Sequence, residues 1–162
     1  KFLKEKSEAF VSKKIMGKKT DEIIMPGGHL TVAQLTAMLN TIPMEITFVD
    51  EDNINRFFNE GPKDFKRPGM AIDREVFSCH PPKVEQQVRH IIGEFRKGTL
   101  DKVPIWMEKN GKTMLVTYMA VRDAAGTYLG TMELVQDMGF AKEHFLSDVK
   151  AKEAALRAGM ED

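Results

Sequence analysis

Apolar residues return at two different periods along this chain. Val84, Val88, Ile91, Ile92 and Phe95 recur at helical spacing, which predicts an amphipathic helix over residues 82–97, stopped by Gly98. Further on the period falls to two. "VPIWMEKNGK", "TMLVTYMAVRDAAG" and "TYLGTMELVQD" read as three strands. The first pair turns at Asn110-Gly111, a strong hairpin signal, and the second pair turns around Asp123 to Gly126. On the middle strand Met114, Val116, Tyr118 and Ala120 share one side, and Leu115, Thr117, Met119 and Val121 share the other. On the last strand Leu129, Thr131, Glu133 and Val135 oppose Tyr128, Met132 and Leu134. Both faces are largely apolar, so both are expected to be covered, one by the helical segment and any ligand, the other by a flanking helix or a second subunit.

Upstream, "MEITFVDEDN" sets Ile46, Phe48 and the polar Asp50 on one side of a strand and Thr47 and Val49 on the other. Its Asp-Glu-Asp-Asn end suits a turn, and "INRFFNEGP" reads as a second short strand closing on Gly61-Pro62. Residues 62–76 look irregular. "TVAQLTAMLN" opens on Thr31 as N-cap, with Gln34 completing a capping box and Leu35, Met38 and Leu39 on one stripe. "MPGGH" marks a break before it. Residues 1–19 read as a charged helix with few apolar positions, and the tail from Gly139 as an exposed helix that frays after Gly159. The order predicts an α+β fold: a five-stranded antiparallel sheet with a helical segment crossing one face and helices flanking it at both ends. It is not a βαβ fold, because short turns join the last three strands.

Composition narrows the function classes. Lys plus Arg and Asp plus Glu balance at 24 each, so nothing points to nucleic acid or to an anionic membrane surface. No apolar run approaches the ~20 residues of a membrane span, and no leader-like apolar stretch is visible. The single cysteine cannot form an intrachain disulfide, and a cytoplasmic setting is expected. A chain that opens on Lys reads as part of a longer polypeptide. Eleven methionines suit an adaptable core or contact surface.

Candidate chemistry centres on "FSCHPPKVEQQVRHII". Cys79 and His80 are neighbours, so their side chains diverge and cannot easily serve one zinc site. No two of His29, His80, His90 and His144 stand at a familiar ligand spacing. Haem ligation by His80 or Cys79 is chemically normal, but His80-Pro81-Pro82 also reads as a helix start, since proline fits the first turn. His90 falls off the apolar stripe and reads as solvent-facing. Cys79 near a helix start could be a low-pKa thiol or a small buried apolar group. No Ser-His-Asp or Cys-His-Asn pattern and no phosphate-cradling glycine loop occurs.

The strand–helix–meander order over residues 28–138 resembles a PAS domain. The stretches "GHLTVAQLTAMLNTIPMEITFVDED", "CHPPK" and "YLGTMELVQD" more narrowly resemble the PAS domain at the C-terminal end of microbial proteins with an upstream hemerythrin-like, helical iron-binding domain. The resemblance implies residues 1–27 as an N-terminal helical linker, 28–138 as the PAS domain and 139–162 as a C-terminal helix. It implies a non-catalytic sensory or regulatory module, a homodimer, with a small-molecule pocket between sheet and helices. It also turns the Tyr118, Thr131 and Glu133 side of the sheet inward. The expected pocket residues are then Tyr118, Glu133, Thr131, Val135, Val116, Ile91, Val88, Cys79, His80 and Trp106. Light-sensing PAS domains carry a cysteine near the position of Val76 and a flavin-contacting glutamine near that of Val135, so cysteinyl–flavin chemistry is not expected, while non-covalent flavin stays open without a motif to support it. A haem- or redox-responsive sensor using Cys79 or His80, and a purely structural dimerisation module, stay open as alternatives. An enzyme using Glu133 as a base would need a second polar partner that the sequence does not offer.

Overall fold

The computed structural model describes residues 21–61, 63–65 and 69–158. The expected helix over residues 1–19 and the frayed end after Gly159 lie outside these. Two compact units make up the chain, residues 1–41 and 42–162.

In the first unit, β1 (Glu22–Met25) and β2 (Gly28–Thr31) form an antiparallel hairpin, with Ile23 opposite Leu30 and Ile24 opposite His29. This corrects the expectation of a helical linker up to residue 27. Two adjacent β-branched residues followed by Pro26-Gly27 favour a tight hairpin, but four-residue strands are too short to show a period. Thr31 ends β2 and caps α1 (Val32–Thr41). The capping box is as expected: the Thr31 N–H donates to Gln34 Oε1 at 2.9 Å, and the Gln34 N–H donates to Thr31 Oγ1 at 3.1 Å.

The second unit is a five-stranded antiparallel sheet in the order β4-β3-β7-β6-β5. Its strands are β3 (Glu45–Asp50), β4 (Asn55–Phe58), β5 (Lys102–Lys109), β6 (Lys112–Arg122) and β7 (Tyr128–Asp137). Short turns account for the meander. Asn110 and Gly111 both adopt positive φ (52° and 75°), as a two-residue hairpin of this hand requires. Asp50 shapes the β3–β4 turn, its Oδ1 accepting from the N–H groups of Asp52 and Ile54.

Helix α2 (Pro82–Lys97) begins as the sequence predicts. Pro81 is extended, Pro82 takes the first helical position, and the Glu85 N–H donates to the Pro81 carbonyl at 2.9 Å. Gly98 closes it in the left-handed region at φ 74°. The buried residues of α2 are Val88, Ile91, Ile92 and Phe95, and Phe95 is fully enclosed. The last element, α3 (Gly139–Ala158), starts beside the β5–β6 hairpin, where the Met138 N–H donates to the Thr113 carbonyl.

Two apolar clusters build the core on the α2 side of the sheet. One joins Val49, Val76, Phe77, Val88 and Ile92. The other joins Met114, Val116 and Val135, with Phe65, Ile105 and Met107 around it. Tyr118 packs against both. Burial of this set, at ~25 cal/mol per Å² of apolar surface, is the main force holding α2 to the sheet.

Gly130 is the tightest point of the sheet. It lies at φ 152°, and a Cβ there would stand 2.2 Å from the Val49 carbonyl oxygen and 2.9 Å from the Phe48 ring. Gly130→Ala is therefore expected to destabilise the fold by about 2–4 kcal/mol, read as a lowered urea midpoint at unchanged m-value.

Candidate functional site

A cavity of about 520 Å³ lies between α2 and the sheet. Its floor is the inner face of β5, β6 and β7: Ile105, Met107, Val116, Tyr118, Glu133 and Val135. Period-two alternation puts these side chains together, and register aligns them, with Val116 opposite Val135 and Tyr118 opposite Glu133. The roof is the start of α2 and the residues before it: His80, Pro81, Val84, Gln87 and Val88. Val84, Gln87 and Val88 stand three and four apart, so one ridge of the helix faces the floor. Phe65 and Lys109 complete the lining, the Lys109 ammonium 3.3 Å from the Phe65 ring centroid.

Polar groups enter this apolar space at a few fixed points. The His80 Nδ1 lies 2.8 Å from the Val76 carbonyl oxygen. A carbonyl only accepts, so Nδ1 carries a proton, and in the neutral imidazole Nε2 is the nitrogen able to accept or to coordinate. Glu133 is half-buried in the floor. Beside it on β3, Thr47 pairs with Glu133 and Glu45 pairs with Val135, so both belong to the inner face. Both are buried. The Glu45 Oε1 accepts from the N–H groups of Asp64 at 2.6 Å and Phe65 at 3.2 Å, which sets the Phe65 wall. Glu45 Oε2 and Thr47 Oγ1 are buried with no hydrogen-bond partner among the described residues. Asp64 is tied in turn to Lys112 at 2.9 Å, and this carboxylate raises the Lys112 ammonium above its ordinary pKa.

Six of the ten residues expected at the pocket line it: Tyr118, Glu133, Val135, Val116, Val88 and His80. Three do not. Trp106 belongs to the opposite face and is 61% exposed, because on β5 it alternates with Ile105 and Met107. Ile91 is buried but sits one turn beyond Val88, past the lining stretch of α2. Thr131 is buried on the inner face between Val49 and Ala120, outside the lining, with its Oγ1 2.7 Å from the Tyr128 hydroxyl. Cys79 ends a short 3-10 turn (Val76–Cys79); its side chain is outside the described residues. His90 is exposed on α2, as its place off the stripe predicts.

Sequence reasoning missed Glu45, Phe65, Ile105, Met107, Gln87 and Lys109. The signal for Glu45 was present: it continues the Thr47, Val49 side of β3 by one more step of two. Phe65 had none, because no periodic pattern runs through residues 62–76.

A wider depression of about 750 Å³ lies where the β5–β6 turn meets the start of α3. Its charges answer one another: Lys112 pairs with Asp137 at 3.5 Å, and Lys142 with Glu108 at 3.6 Å. Among the described residues no group of three or more His, Cys, Asp or Glu could hold a metal ion, and no helix is long and apolar enough to cross a membrane. Val76 is a buried core residue.

The family model for the PAS domain matches residues 35–139. The chain belongs to the PAS-domain family. It is similar to the crystal structure of a C-terminal domain from Streptococcus mutans, at 39% identity and a TM-score of 0.73, covering 78% of this chain and 98% of that one. It also shares its fold with the PAS domain of Bordetella pertussis BvgS, at 10% identity and a TM-score of 0.52, over 74% of this chain and 95% of that one. No curated protein matches. PAS domains are typically sensory signalling modules, so membership supports a sensory or regulatory role.

The Phe65 wall of this PAS cavity depends on one carboxylate. Glu45→Ala is expected to cost about 2 kcal/mol and to speed hydrogen exchange at the Asp64 and Phe65 amides. Glu45→Gln keeps an acceptor oxygen and should cost less. Equal exchange rates in wild type and Glu45→Ala would show that the contact does not hold the wall.

Proposed function

We propose that this PAS domain is a non-catalytic sensor that takes a small, largely apolar molecule between α2 and the sheet and relays its presence through packing of its flanking helices. The cavity carries this reading. Its size and its mix of aliphatic walls with a few fixed polar groups are those of small-molecule sites. The Tyr118 ring, which belongs to both core clusters and to the cavity floor, would couple occupancy to the whole inner face. An upstream helical iron-binding domain is proposed on the sequence resemblance alone; the Streptococcus mutans relative is described only as a C-terminal domain.

Haem is a second reading, favoured by one observation: His80 lines the cavity with its Nδ1 already tied back, the arrangement that orients a ligating imidazole. Lys109 is the one cation in the described lining, a poor match for two propionates. Native mass spectrometry of the purified protein separates the readings. A retained small molecule is expected, absent from Val88→Trp, whose indole fills the cavity. A Soret band lost in His80→Ala would instead identify haem. Protein that retains nothing, with Val88→Trp as stable as wild type, would point to a structural module.

The homodimer is proposed for the outer face. Ile46, Phe48, Leu115, Met119, Met132 and Leu134 share that side of the sheet, beside the exposed Trp106. The exposed Phe145, Val149 and Leu156 of α3 would add to the contact. Sedimentation velocity should show a dimer, and Trp106→Glu should weaken it at least about tenfold. A monomer at high concentration would remove this part of the proposal.

A further inference from the structure

Among the described lining residues Gln87, Lys109 and Tyr118 carry donors, and Glu133 is the one carboxylate. Glu133 presents a carboxylate from the floor. Thr47 sits directly across from it on β3, and Glu45 is two residues further along the same face. Each of these two buried side chains holds an oxygen with no partner among the described residues. In the roof, the Nδ1–H bond to Val76 leaves the Nε2 of a neutral His80 as an acceptor. Glu133 in the lining and Glu45 behind it on β3 thus stand near one cation, Lys109, among the described lining residues. That cation, Lys109, lies over the Phe65 ring, a position that already satisfies part of its charge. An anionic head group would meet a carboxylate at the floor and no arginine among the described lining residues.

Resting on the ligand-binding reading above, we infer that the molecule this cavity selects is an organic cation with an apolar body, its protonated nitrogen seated at Glu133. The aliphatic walls, Ile105, Val116 and Val135 below and Val84 and Val88 above, hold the body. The nitrogen's N–H groups donate to the Glu133 carboxylate, and a charge-assisted bond of this kind is stronger than a neutral one. Glu133 already has an interaction within the chain, so the ligand's donor joins or displaces it. The Glu45 carboxylate behind it, with its unpartnered Oε2, adds a favourable potential for positive charge in a low-dielectric setting.

Three phenyl compounds of one shape test the inference at neutral pH: 4-phenylbutylamine, 4-phenylbutanol and 4-phenylbutyrate. Each is titrated into the full chain, with the methyl signals of Val88, Val116 and Val135 followed by NMR. The amine is expected to bind about tenfold tighter than the alcohol or more, and the carboxylate most weakly. Glu133→Gln should level the amine with the alcohol to within about threefold. A carboxylate binding as tightly as the amine, or an amine preference intact in Glu133→Gln, would overturn the inference while the cavity reading stood. If none of the three moves those methyl signals at millimolar concentration, the cavity reading falls and this inference with it. Should Glu133→Gln fail to fold, the wild-type order of the three compounds decides alone.

Discussion

Strand β7 is hydrogen-bonded along both edges, to β3 on one side and β6 on the other, and the register of those two ladders decides what faces α2. A slip of one residue would carry Glu133 and Val135 to the outer face and bring Met132 and Leu134 inward. Gly130 helps to forbid the slip. It stands opposite Asp50 on β3 and opposite Val121 on β6, so close to the Val49 carbonyl that no other side chain fits there. Cavity, core clusters and outer surface all follow from that alignment.

Most of the architecture was legible because periodicity and punctuation agreed. Helix α2 had both an apolar stripe and a proline start. The meander had an Asn-Gly turn and long alternating runs. Capping at Thr31 was readable from two residues. The β1–β2 hairpin was not, because four residues per strand cannot display a period and the lysine-rich stretch before it suggested a helix. Ladder bonds and a Pro-Gly turn outweighed that local bias.

The site was legible to a lesser degree, and its errors have one geometric origin. Alternation tells which residues share a face but not how far along the strand or helix a cavity extends. Tyr118, Glu133, Val116 and Val135 were found together for that reason, and Thr131 and Ile91 were placed with them although they lie past the cavity's end. Trp106 was named for its chemistry rather than its parity. Phe65 needed the tertiary contact through Glu45, a bond across 20 positions of sequence, before it had any assignable place.

Thr31 is at once the last residue of β2 and the N-cap of α1, and the Val32 N–H donates to the carbonyl of Asp21, the residue just before β1. There is no linker between hairpin and helix, hence no swivel. Torsion applied to the two strands must turn the first helical turn with them, so this part of the chain behaves as a rigid crank rather than a hinge.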